Sequence, residues 1–76
     1  MIEFYATLLV ESEDKKQEFE TELIRNSIII KGVTPESDTC FHYCLQGEWA
    51  SYSFVASLSL EEPRKFELVS VEHFEN

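Results

Sequence analysis

The sequence predicts an α+β fold: a mainly antiparallel sheet of about five strands with one helix packed on a face, in the order β-α-β-β-β-β. Three observations lead there. Residues 2–10 alternate apolar and polar side chains, residues 13–26 carry apolar side chains at helical spacing, and the rest is short apolar runs separated by turn residues. The 76 residues make a single domain, 1–76. A hydrophobic content of 43%, with 13% aromatic residues, separates the chain from disordered acidic sequences, which are poor in both.

In the first strand Ile2, Phe4, Ala6, Leu8 and Val10 share one face, with Glu3, Tyr5, Thr7 and Leu9 on the other. Ser12 supplies an N-cap, and Glu13 and Asp14 suit the positive end of the helix that follows. Phe19, Leu23 and Ile24 form its apolar stripe, which runs to about Asn26. The β-branched run Ile28-Ile29-Ile30 reads as a central strand, with Gly32 as a bulge or the strand end. Thr34-Pro35-Glu36-Ser37-Asp38 is a turn, residues 39–45 a third strand, and Gln46-Gly47-Glu48 a hairpin connection.

Residues 49–60 alternate most clearly. Ala50, Tyr52, Phe54, Ala56, Leu58 and Leu60 fall on one side, and Ser51, Ser53, Ser57 and Ser59 on the other, interrupted by Val55. This predicts a twelve-residue strand with a solvated serine face, long enough to be an edge that pairs with another chain. Glu61-Glu62-Pro63-Arg64 makes the next turn, and a last strand runs from Phe66 to about Phe74.

Charge carries the functional reading. Fifteen acidic residues oppose six basic ones for a net of -9, and half of the twelve residues from Glu11 to Glu22 are acidic. Such a chain is repelled by nucleic acid, whose binders need a basic stripe to release counterions. It suits a basic cleft instead. Glu18 and Glu22 lie on adjacent turns of the helix, about 5–6 Å apart, near the spacing of phosphates along one DNA strand.

The sequence offers no catalytic signature. Gly32 and Gly47 are its only glycines, so there is no phosphate-cradling loop, and no motif joins Cys40, His42, Cys44 or His73 into a nucleophile–base pair. We expect no enzyme and no cofactor. Cys40 and Cys44 are four apart in a strand, which separates them by roughly 13 Å, too far for a disulfide. Free thiols fit the cytoplasm. Cys40, His42 and Cys44 share a face but are poorly spaced around one ion and lack an evident fourth ligand, so no metal site is expected. No apolar run reaches membrane-spanning length, and the first residues lack the basic region of a signal peptide.

Pro35-Glu36-Ser37-Asp38, followed by His42 in a strand, resembles a segment of the phage uracil-DNA glycosylase inhibitors, small acidic proteins that imitate DNA. Leu8-Leu9-Val10-Glu11-Ser12 is similar to that family's first strand with its terminal Glu-Ser pair. Leu60-Glu61-Glu62-Pro63 with Phe66-Glu67-Leu68-Val69 is similar to its last hairpin. The resemblance implies an inhibitor that binds one-to-one in the basic cleft of the glycosylase. It makes Glu11, Ser12, Glu18 and Glu22 the phosphate-mimicking contacts. Phe19, Leu23, Phe41 and Val69 become the lining of a pocket for an apolar side chain of the enzyme, joined less firmly by Phe54 or Ala56. Alternative expectations from the same charge are an immunity-type protein that neutralises a basic nuclease toxin, or a phage inhibitor of another host defence enzyme.

Overall fold

The computed structural model describes residues 1–61 and 65–73. Six elements follow in the order β1 (Ile2–Leu9), α1 (Glu13–Arg25), β2 (Ile29–Pro35), β3 (Cys40–Gly47), α2 (Trp49–Leu58) and β4 (Glu67–His73). The α+β class and antiparallel sheet agree with the sequence reading, but four strands and two helices replace the expected five and one.

The sheet order is β2-β3-β1-β4, and every neighbouring pair is antiparallel. β1 and β2 are therefore parallel to each other with β3 between them, and β3 and β4 are parallel with β1 between them. Each helix crosses over one inserted strand. Two interleaved split βαβ units of this kind make the ferredoxin-like arrangement.

β1 is central because its alternate residues Phe4, Ala6 and Leu8 are buried while both of its edges are paired. Ser12 caps α1 as expected, its hydroxyl accepting from the Lys15 amide at 3.3 Å. At the other end Ser27 adopts φ 62°, the Ile28 amide reaches back to the Leu23 carbonyl at 3.0 Å, and the Ser27 amide to that of Ile24 at 3.0 Å. This is a Schellman closure. It buries Ile28 beside Leu23 and leaves Ile24, expected in the apolar stripe, 66% exposed.

The expected strand over 49–60 is the helix α2, so it offers no edge to another chain. Val55 and Leu58, three residues apart, are its buried side chains, and Leu60 is exposed. The serines fit the helix, since the Ser57 and Ser59 hydroxyls each donate to the carbonyl three residues back at 2.7 Å. Gln46 and Gly47 complete β3, and Glu48 is the N-cap of α2 rather than part of a hairpin. Gly47 lets that helix start close to the sheet: a Cβ there would lie 2.9 Å from Ser51 Cβ and Oγ.

β2 is an edge strand, not a central one. It pairs only with β3, and Ile29 is 45% exposed. Its register shifts between Ile30 and Gly32, which places the expected bulge. The predicted turn over 61–64 and the strand end at Phe74 lie mostly outside the described residues.

Both helices pack on one face of the sheet. Phe19 and Leu23 of α1 and Val55 and Leu58 of α2 join Phe4, Ala6, Leu8, Tyr43, Leu45 and Leu68 in a single core. The opposite face carries Glu3, Tyr5, Thr7, His42, Cys44 and Glu72, all exposed or half-buried.

Candidate functional site: an acidic helix start and a polar sheet face

The residues expected to contact a partner divide into three groups. Glu11 and Ser12 are exposed where β1 leads into α1. Glu18 is exposed and Glu22 half-buried, and both already have cationic neighbours. Glu18 sits 3.5 Å from Lys15 and 3.5 Å from Lys65, and Glu22 sits 3.1 Å from Arg25 and 3.8 Å from Lys65. The apolar group does not form a pocket. Phe19 and Leu23 have no exposed surface, with the Phe19 ring edge-on to Tyr43 and Phe66 at 5.2 and 5.3 Å.

Phe41 packs against the core under the Lys16 ammonium, 5.2 Å from its ring centre, whereas Val69 is 61% exposed. Val69 is displaced because the β1–β4 register shifts there: Thr7 faces Ser70 and Leu8 faces Leu68. Of the less firmly assigned pair, Phe54 packs on the core and Ala56 is half-buried within α2.

A groove of about 410 Å³ does open nearby, between the end of β1, the first turn of α1 and the start of β4. Buried Val10 and Phe66 belong to its lining, as do Glu11, Glu67, Lys15 and Lys65. Among the described residues, Glu11, Glu13 and Asp14 enter no ion pair. The uncompensated negative charge of α1 is thus concentrated at its start. The helix dipole accounts for Glu13 and Asp14 in the first turn, but not for Glu11, which precedes the cap.

The second constellation lies on the sheet face opposite the helices. The β2–β3 connection folds Glu36 back over β3, its amide bonded to the Cys40 carbonyl at 2.9 Å. The Glu36 carboxylate then accepts from the Cys40 thiol at 3.2 Å and from His42 Nε2 at 3.0 Å. These contacts hold the carboxyl below the usual range, the thiol contact contributing most, and in turn push the Cys40 thiol up. His42 Nδ1 receives the Thr7 hydroxyl at 3.0 Å, and Thr7 Oγ1 accepts from Ser70 at 3.2 Å.

This chain runs across β3, β1 and β4. Although Thr7, His42 and Glu36 follow the order nucleophile, base, acid, β1 is hydrogen-bonded on both edges, so its amides serve the sheet rather than an oxyanion. The Glu36 contact pushes the Cys40 thiol up, opposite to the lowered pKa of reactive thiols.

The expected face-sharing set Cys40, His42 and Cys44 separates. Cys40 and His42 meet at Glu36, while the Cys44 thiol donates to Glu3 at 3.4 Å, beside Lys31. Both cysteines are free. His73 is apart from this site, edge-on to Trp49 and Tyr52 at 4.9 and 4.8 Å. Sequence reasoning missed Glu36 because it read the residue as a turn component. The available signal was a carboxylate six residues before a strand histidine across a short connection.

No family model, curated protein or solved structure matches this chain. No helix among the described residues is long and apolar enough to cross a membrane.

Proposed function

We propose that this chain works by binding, without chemistry of its own, as a DNA-mimic inhibitor that occupies the basic cleft of a DNA-processing enzyme, with uracil-DNA glycosylase as the first target. The observation that carries the reading is the net charge of -9. Its placement supports the same reading, because Glu11, Glu13 and Asp14 enter no ion pair among the described residues, and Glu11 lines a groove with buried Val10 and Phe66 as well as Lys15 and Lys65. Negative side chains would steer encounter and set orientation, and the groove would receive an apolar side chain of the enzyme.

The salt bridges on Glu18 and Glu22 favour the start of α1 as the centre of the contact in this reading. Free Cys40 and Cys44 support action in the host cytoplasm.

The test is a titration of the protein into a uracil-excision assay with a bacterial uracil-DNA glycosylase. Inhibition should saturate near one equivalent. The double variant Glu11→Lys with Asp14→Lys should slow association by about tenfold or more, and Glu18→Lys with Glu22→Lys should slow it less. Full excision at large molar excess would remove the named target, and equal effects of the two variants would remove the assigned contact.

A further inference from the structure

The structure assigns a zinc-class divalent-cation site to Glu36, Cys40 and His42 on the sheet face opposite the helices, with Thr7 and Ser70 as its outer support. The inference does not rest on the inhibitory reading, because no acidic residue of α1 takes part.

Three donors of different chemistry converge there: a carboxylate oxygen, a thiol sulfur and an imidazole nitrogen, all within 4.8 Å of one another. Two of the three spacings are 3.2 Å (sulfur to oxygen) and 3.0 Å (nitrogen to oxygen). Zinc bonds of ~2.0–2.3 Å in a tetrahedron require donor–donor edges of roughly 3.3–3.7 Å. The two spacings to Glu36 need to open only slightly, and the sulfur–nitrogen spacing, within 4.8 Å, has to settle to the same edge length as the ion binds. Mixed sulfur, nitrogen and oxygen donors fit a borderline cation such as zinc better than calcium or magnesium, which take oxygen.

The surroundings are those of a supported ligand set. A metal-bound histidine usually has its second ring nitrogen fixed by a hydrogen bond, which sets the tautomer and ring orientation. His42 presents Nε2 to the cluster while Nδ1 meets Thr7, itself held by Ser70 at 3.2 Å. Thr7 and His42 are opposed in the β1–β3 register, and Thr7 and Ser70 in the β1–β4 register, so paired strands fix both supports.

On binding, the Cys40 sulfur gives its proton to solvent and bonds to the ion. The ring proton moves from Nε2 to Nδ1 by exchange with water, and Nδ1–H then donates to Thr7 Oγ1. Glu36 and His42 are exposed, so the fourth position of the tetrahedron faces solvent and takes a water. The ion would pin the β2–β3 connection to the sheet face.

The experiment titrates cobalt(II), which reports tetrahedral thiolate coordination by its colour, into the reduced protein, and then adds zinc(II) in competition. We expect a thiolate-to-cobalt charge-transfer band that saturates at one equivalent and is bleached by zinc. Cys40→Ser should abolish the band and Cys44→Ser should leave it intact. Thr7→Val, which keeps the side-chain shape and removes only the hydroxyl, should weaken binding by about tenfold or more. Circular dichroism of each variant verifies the fold. Absence of the band in folded wild-type protein overturns the assignment. So does a band that survives Cys40→Ser, or one lost in Cys44→Ser.

Discussion

Replacing Tyr43 with phenylalanine tests how α1 is fastened to the sheet. The Tyr43 side chain is 1% exposed, and its hydroxyl donates to Glu20 Oε2 at 2.8 Å. The same oxygen receives Lys16 Nζ at 2.6 Å, so one half-buried carboxylate joins two points of α1 to β3. A hydrogen bond to a charged group contributes about 1.5–3 kcal/mol. Glu20 keeps Lys16 and is 25% exposed at its side chain, so water takes up part of the lost contact. That sets the loss in Tyr43→Phe near the lower bound, about 1.5 kcal/mol. For a domain of this size that loss lowers Tm by roughly 6–12 °C.

Urea and thermal unfolding of both proteins provide the assay, with an unchanged urea m-value as the mark of an unchanged fold. A second readout comes from pH. Burial first, and the Glu20 contact second, push the Tyr43 hydroxyl far above the ordinary phenol range. In the unfolded chain it ionises near its usual value of about 10. The unfolded state therefore loses a proton that the native state retains, and stability contributed by this group falls as pH rises above about 10. The difference between wild type and Tyr43→Phe should shrink across that window. Equal stability of the two proteins at pH 7, or a constant difference from pH 8 to 11, would refute the reasoning.

Four further substitutions bear on the backbone. Ser53→Pro, at an exposed position in the middle of α2, should cost about 3 kcal/mol or more and lower the helical signal in circular dichroism; a stable variant would restore a strand there. Gly47→Ala should destabilise by about 1–3 kcal/mol through its clash with Ser51, whereas Gly32→Ala, with nothing within 4 Å, should cost less than ~1 kcal/mol in urea unfolding. Ser27→Gly relieves a left-handed residue at φ 62° and should stabilise by about 0.5–1 kcal/mol, read as a rise in Tm.

The elements legible in the sequence were those whose pattern admits one period. β1 alternates large apolar with polar side chains, and α1 has a capping serine followed by apolar spacing of three and four residues. Over residues 49–60 the alternation came from alanine and serine, small residues compatible with either state. Val55, which broke the alternation, is fully buried, and with Leu58 it marks the true helical face.

The β-branched Ile28–Ile30 run reads as a central strand, yet only Ile28 is buried, as the closing contact of α1. At the site, residue charge and chemistry were legible but their pairing was not. Glu36 reaches Cys40 and His42 only through the β2–β3 register, and Lys65 reaches Glu18 and Glu22 from a distant segment. Phe19 and Leu23 show the converse: a helical apolar stripe beside acidic residues is compatible with a partner pocket or a core, and packing places both in the core.

The most direct test of the central claim is displacement of a labelled uracil-containing oligonucleotide from uracil-DNA glycosylase, followed by anisotropy over a series of salt concentrations. The account predicts that the protein releases the DNA one for one and that its association slows as salt rises. DNA that remains bound at saturating protein, or release that is indifferent to salt, would contradict it.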